Sequence, residues 1–512
     1  MSDISANNKR IAKNTLVLYV RMFFILAITL YTSRVVLKVL GVEDFGIYNV
    51  VGGVVAMMGL LKGAMSAATT RFITFELGRR NFEQLRKTFC TSVMIYILIC
   101  IIFVILAETI GLWFLNTKLT IPIERQSAAN WVYQFTIMSL FIEMICQPYN
   151  AVIISHEKMS FYAYVSILEV ALRLLIVLLL LLLPFDHLAL YGLLMMATSI
   201  VVCMTYHFYC QKRFAECKFK LCKDKDLFIT MLSYSGWNLF GSASSLVKGQ
   251  GLNILLNVFF NPAVNAARGI AYQIYGAISQ FSQNFYTAVR PQITKYYAQN
   301  DLMNMFKLVF RSSKLSFYLN LLLGVPLIIE MPQIITLWLG QKPDYVVAFS
   351  RLIIVISMID AMAHPLMTSI HSTGHVALYQ SLVGFLNILN LPISYVFLKV
   401  GYTPIVVFYI SLIITIVSLF IRLAIVKRYI LLFPVANYII SVFVVCILVS
   451  IISSILPIVA YCYFDKSLFS IFVVCLVSVF SVMLTAFLIG LRNDERKFII
   501  RIINQKVLHR CD

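Results

Sequence analysis

Six basic side chains, Arg21, Lys62, Arg173, Lys248, Arg268 and Arg351, and five acids, Glu108, Glu143, Glu169, Glu330 and Asp360, fall inside long apolar runs of a 512-residue chain. A charge near a bilayer centre costs about 2.5–3.5 kcal/mol on insertion scales unless it is paired or hydrated, so such residues are expected to face a protein interior and to handle ions or substrate. Two of the acids occupy one repeated frame. Glu143 stands five residues before Pro148, and Ile153, Ser155 and Tyr162 follow that proline at offsets of five, seven and fourteen. Asp360 stands five before Pro365, with Ile370, Ser372 and Tyr379 at the same offsets, 217 residues later. A desolvated carboxylate in an apolar helix can load and release a proton or a sodium ion, which makes Glu143 and Asp360 candidates for ion coupling. The alternative is that each steadies backbone freed by the neighbouring proline kink.

The cations suggest a second kind of chemistry. Arg21, Lys62, Lys248 and Arg268 fall in the first, second, seventh and eighth apolar spans, which are equivalent pairs if the chain is duplicated. In a two-lobed transporter those spans would line a central cleft. Four unpaired cations there would bind an anion, and arginine grips phosphate through two parallel hydrogen bonds. On this reading the cations hold substrate, and the acids on spans four and ten form a separate site. Glu169 and Arg173, four residues apart, read as an internal pair. Arg34, Lys38 and Arg351 read as snorkelling toward an interface, and Glu108 and Glu330, toward the outer ends of their spans, as solvated.

The elements that must position these groups follow from hydropathy. The chain is 61% hydrophobic and 12% charged, with a mean hydropathy of +0.88; soluble proteins are about 45–50% apolar and about 25% charged. About fourteen runs are long enough to cross a ~30 Å hydrocarbon core, the first over 14–39 and the last over 467–491. The expected fold is therefore an all-α polytopic membrane protein. Lys and Arg concentrate in the N-terminal tail, the even-numbered connections and the C-terminal tail, which predicts that both termini are cytoplasmic. That distribution also explains the net charge of +20 without nucleic acid. The eleven cysteines show no zinc spacing, and most lie in apolar spans, so neither a metal site nor disulfides are expected. Phosphate-loop, dinucleotide and HExxH motifs are missing, so a transporter is expected rather than an enzyme, with no cofactor beyond a coupling proton or sodium ion.

The duplication covers spans one to six against seven to twelve at a period of about 220. LGVEDFGIY at Leu40 to Tyr48 answers FNPAVNAARGIAY at Phe260 to Tyr272, and ATTRFITF at Ala68 to Phe75 answers AVRPQITKYY at Ala288 to Tyr297. The latter pair places Arg71 and Arg290 at matching cytoplasmic helix ends, as gate candidates or as anchors. Six spans per copy is an even number, so the copies enter the membrane in the same sense, as parallel repeats. The expected organisation is two parallel six-helix lobes, 1–210 and 228–430, joined by a basic cytoplasmic linker at 211–227, with two further spans and a tail over 431–512.

LGVEDFGIY, SGWNLFGS in the seventh span, QGLNILLNVFFNPAVNAARGIAYQI and RPQITKYYAQND together resemble the polysaccharide flippases of the MOP (MATE-like) superfamily, similar to Wzx-type O-antigen and capsule-unit transporters. The resemblance covers nearly the whole chain. Fourteen spans exceed the twelve usual in many Wzx-like members and match the lipid II flippase branch in number. The resemblance implies a bacterial inner-membrane flippase for a polyprenyl-pyrophosphate-linked oligosaccharide, working beside a polysaccharide polymerase and glycosyltransferases among membrane lipids. The rival reading is a cation-coupled multidrug and toxin exporter of the same superfamily, which calls for an acidic cleft. A third is a non-transporting scaffold of a glycan assembly complex.

Overall fold

The computed structural model describes residues 2–56, 59–117, 121–182, 184–218, 224–260, 262–340, 343–464, 467–492 and 495–496; the side chains of Arg34 and Lys38 and part of the 211–227 linker lie outside the described set. Among the described residues the chain is helical, with no strand. In order the helices are α1 (Ser2–Ala56), α2 (Gly59–Arg79), α3 (Phe82–Leu106), α4 (Leu112–Thr117), α5 (Gln126–Ser155), α6 (Met159–Leu182), α7 (His187–Arg213) and α8 (Lys225–Phe259). They continue with α9 (Pro262–Ala298), α10 (Leu302–Leu339), α11 (Val346–Thr373), α12 (Ala377–Lys399), α13 (Val406–Tyr429), α14 (Val435–Tyr438), α15 (Val445–Tyr463) and α16 (Leu468–Thr485). Short π-helical turns join α3 to α4 and α14 to α15, so each of those pairs forms one continuous span. Among the described residues, eleven helical segments are long and apolar enough to cross a membrane. The protein is a multi-pass membrane protein. α2, α8 and α9 fall outside the eleven, and they are the helices that carry Lys62, Lys248 and Arg268.

Two compact units divide the chain: Met1–Ala243 with Thr294–Asp301, and Ser244–Ile293 with Leu302–Asp512. In the first, α1 bends at Gly41, whose φ of 76° favours a residue without a Cβ. This bend is the LGVEDF turn, and its Asp44 is buried. Arg125, just before α5, pairs with Asp44 and with Asp186, the latter at 2.5 Å. Asp186 also caps α7 by accepting hydrogen bonds from the Leu188 and Ala189 amides. Burial pushes the Asp186 carboxyl up, but those amides and Arg125 outweigh it and hold the group below its ordinary value. One guanidinium thus ties together the ends of three spans. α5 packs against α2 and α7, and α1 against α6.

The last turn of α9 and the residues after it, Thr294–Asp301, belong to this first unit. Lys295 Nζ lies 2.5 Å from Glu157, which also pairs with Arg10 Nε at 2.7 Å and whose backbone carbonyl accepts from Asn14. Helix ends come later than the sequence reading placed them. α2 runs on to Arg79 and α9 to Ala298, so Arg71 and Arg290 both sit about two turns inside their helices.

In the second unit α10 packs on α11, and α11 and α12 on α13. The final two spans, whose role the sequence leaves open, pack against each other and against α10; Ser481 on α16 donates to the Ser453 carbonyl on α15 at 2.8 Å. Beyond α16, Glu495 reaches Lys314 at 3.0 Å, and the same buried ammonium donates to the Gly490 carbonyl. Glu330 corrects an expectation. α10 continues to Leu339, so this acid is fully buried rather than solvated, and neither carboxyl oxygen has a hydrogen-bond partner among the described residues.

Helix α2 meets the end of α9 through Gly78, where an added Cβ would stand 2.7 Å from Ala298 Cβ and 3.1 Å from the Lys295 backbone. Gly78→Ala should therefore cost about 1–3 kcal/mol, seen as a thermal midpoint several degrees lower. Gly63→Ala, which meets open space on the same helix, should leave the midpoint unchanged or slightly raised.

Candidate functional site

Each unit holds one of the two repeated acids, on a helix with a proline inside it. In the first unit Glu143 of α5 forms an ion pair with Lys62 of α2 at 2.5 Å, and Ser199 of α7 approaches its other oxygen at 3.5 Å. Arg21 of α1 lies over the Tyr162 ring of α6, 4.5 Å from its centroid, and its Nε has no hydrogen-bond partner among the described residues. Arg173 and Glu169 form the pair their spacing suggested, at 2.6 Å.

In the second unit a cavity of about 350 Å³ opens between α8, α9, α11, α12 and α13. Lys248, Tyr275, Asp360, Asn387 and Arg422 line it together with small hydroxyl residues. Tyr275 donates to Asp360 Oδ2 at 3.4 Å, and Lys248 Nζ stands 3.5 Å from Asn387 Oδ1. Arg422 sits 6.0 Å from the Tyr379 centroid, and its Nε and Nη1 are buried with no hydrogen-bond partner among the described residues. Guanidinium N–H groups without acceptors are costly in an interior. Arg268 has a different job. Its Nη2 donates to the Gly249 carbonyl at 2.8 Å, Nη1 to Asn253, and the guanidinium stacks 4.4 Å from the Tyr272 centroid, so it builds the wall between α8 and α9.

The expected separation of acids from cations does not hold. Lys62 is bound to Glu143, while Lys248 and Asp360 face the same cavity. The reason is the cost of an isolated charge: acids and bases on neighbouring helices lower each other's desolvation penalty by meeting. Sequence reasoning missed Arg422. It lies five residues before Lys427, and the SLFIRLAIV context that marks it as intramembrane is masked by the basic cluster closing that helix. Arg71 is buried with its guanidinium 4.6 and 4.7 Å from the Phe72 and Phe75 centroids, and Arg290 is half-buried on α9.

A family model described as polysaccharide biosynthesis protein matches residues 11–297, more than half of the chain. The chain belongs to this family. Its fold is that of MOP superfamily transporters. A multidrug resistance MATE family transporter in an outward-facing conformation superposes with a TM-score of 0.69 at 15% identity, over 83% of this chain and 96% of that one. A MATE in complex with MaD3S gives 0.69 at 13% identity, over 83% and 97%. A MOP superfamily transporter from Pyrococcus furiosus, described by a reverse polarity of its binding pocket, gives 0.67 at 14% identity, over 84% and 96%. Comparison with curated protein sequences finds no match.

Lys62 and Glu143 are both about a third exposed, so their attraction is screened. A double-mutant cycle on Lys62→Ala and Glu143→Ala, read by thermal unfolding, should return a coupling of about 1 kcal/mol or less.

Proposed function

We propose that this transporter flips a polyprenyl-pyrophosphate-linked oligosaccharide from the cytoplasmic to the outer leaflet of a bacterial inner membrane, for surface polysaccharide assembly, by alternating access. The carrying observation is the pair of Arg422 N–H groups left without acceptors beside Lys248, in a cavity with two cations to one acid. Membership of a polysaccharide biosynthesis family supports the same substrate class. The pyrophosphate would take these donors, hydroxyl and aromatic side chains would meet sugar, and the polyprenyl tail would stay in lipid. An inside-negative potential favours outward movement of an anion by about 2.3 kcal/mol per charge per 100 mV crossed. A polymerase and glycosyltransferases are the partners this substrate calls for, and cytoplasmic termini suit the basic loops.

Coupling is assigned to Asp360 rather than to Glu143. Lys62 compensates Glu143, whereas Asp360 accepts a hydrogen bond from a phenol, Tyr275, and opens on the cavity. A second reading, drug export coupled to a cation, draws support from the multidrug transporter superposition and from Asp360 itself. The sign of the cavity weighs against it, and the Pyrococcus furiosus neighbour, described by reverse pocket polarity and a suggested different function, offers a precedent in the superfamily.

Full-length protein in nanodiscs should bind farnesyl pyrophosphate and not tetraphenylphosphonium. Lys248→Ala and Arg422→Ala should each weaken pyrophosphate binding about tenfold or more, the loss of a charge-assisted hydrogen bond. In cells the same variants and Arg21→Ala should abolish surface glycan with insertion intact. Binding of the organic cation in place of the pyrophosphate would favour export.

A further inference from the structure

Starting from the cavity wall, α9 and α11 face one another with matched polar stripes. On α11, Asp360, His364, Thr368 and Ser372 recur every four residues; on α9, Tyr275, Ser279 and Gln283 do so and lead to Tyr286 and Arg290. Three side-chain rungs join them. Tyr275 donates to Asp360 at 3.4 Å, Gln283 Nε2 lies 2.9 Å from His364 Nε2, and Thr368 donates to the Tyr286 hydroxyl at 2.8 Å. His364 also stacks on Tyr286, with centroids 5.0 Å apart. The rungs cover nine residues of α11, Asp360 to Thr368, or ~12 Å along its axis. A ladder that only fixed helix register would need no titratable ring at its middle, one turn from a carboxylate.

We propose that His364 is a proton relay between Asp360 and the far end of this ladder, which makes the coupling ion a proton. The proposal rests on the assignment of Asp360 as the coupling acid. With Gln283 donating to Nε2, the neutral ring carries its proton on Nδ1. Uptake places a proton from water on Nε2, and Gln283 turns its amide so that its oxygen accepts from the imidazolium. The ring then returns a proton to the Asp360 carboxylate, directly or through one water, and is neutral again. Only O–H and N–H bonds form and break. The charged and titratable groups that act on His364 are Asp360 on its own helix, Tyr286 on α9 and Arg422 on α13; Tyr275 lies against Asp360, Arg290 and Tyr379 near Tyr286, and His371 stacks edge-on with Tyr379. Lys248 and Arg422 beside Asp360 repel a metal cation, and an imidazole is a poor ligand for a hard one, whereas a proton neutralises the acid in place.

The test is a pH jump on full-length protein in nanodiscs without substrate, read by a soluble indicator dye. Wild type should take up a proton in a fast phase that Asp360→Asn removes. His364→Gln should keep the amplitude and slow the phase about tenfold, equivalent to ~1.4 kcal/mol of barrier. Gln283→Leu, at an exposed position, should slow it likewise and serves if His364→Gln fails to fold. Replacing choline with sodium should change nothing. A wild-type rate in both relay variants overturns the relay alone, and displacement of the proton by sodium overturns the choice of ion. An unchanged amplitude in Asp360→Asn overturns the coupling assignment beneath it, while pyrophosphate binding is measured separately.

Discussion

A charge inside hydrocarbon must meet a partner or water, and both units of this protein are organised around that requirement. Each carries its acid on a continuous helix with a proline inside it, and the neighbouring helices supply what the acid needs. In the first unit the answer is Lys62. In the second it is a phenol and a cavity with two cations on its walls. The cost of this arrangement is visible in α2, α8 and α9, which give up apolar residues to bring Lys62, Lys248, Arg268 and Tyr275 into place.

The two repeats keep the frame and change its contents. The repeated tyrosines, Tyr162 and Tyr379, each face an arginine, yet Arg21 comes from the first span and Arg422 from the thirteenth helix. The partner of the acid comes from equivalent places, α2 in one copy and α9 in the other, but an ammonium in the first has a hydroxyl as its counterpart in the second. Such a change replaces an ion pair with a carboxylate that accepts from a phenol.

Hydropathy made the all-helical membrane fold legible, because every span must satisfy its own backbone in lipid and so announces itself by length and composition. The equivalence of Glu143 and Asp360 was legible from the spacing of prolines, serines and tyrosines. What the spacing did not carry was which helix faces which: Lys62 as the partner of Glu143, the role of Arg268 in the wall, and the packing that buries Glu330. These depend on helix rotation, to which a one-dimensional charge inventory is blind. Arg422 was hidden for a related reason, since a basic residue near a basic helix end reads as part of that end until its depth is known.

The clasp between Glu495 and Lys314 makes the last two spans part of the second unit's core. Lys314 is 2% exposed and spends its donors on Gly490 and Glu495, both of which follow α16. Without the residues after the twelfth span, that ammonium would have neither acceptor. The terminal hairpin is therefore tied to α10 by a buried polar clasp, and its removal would strand that ammonium.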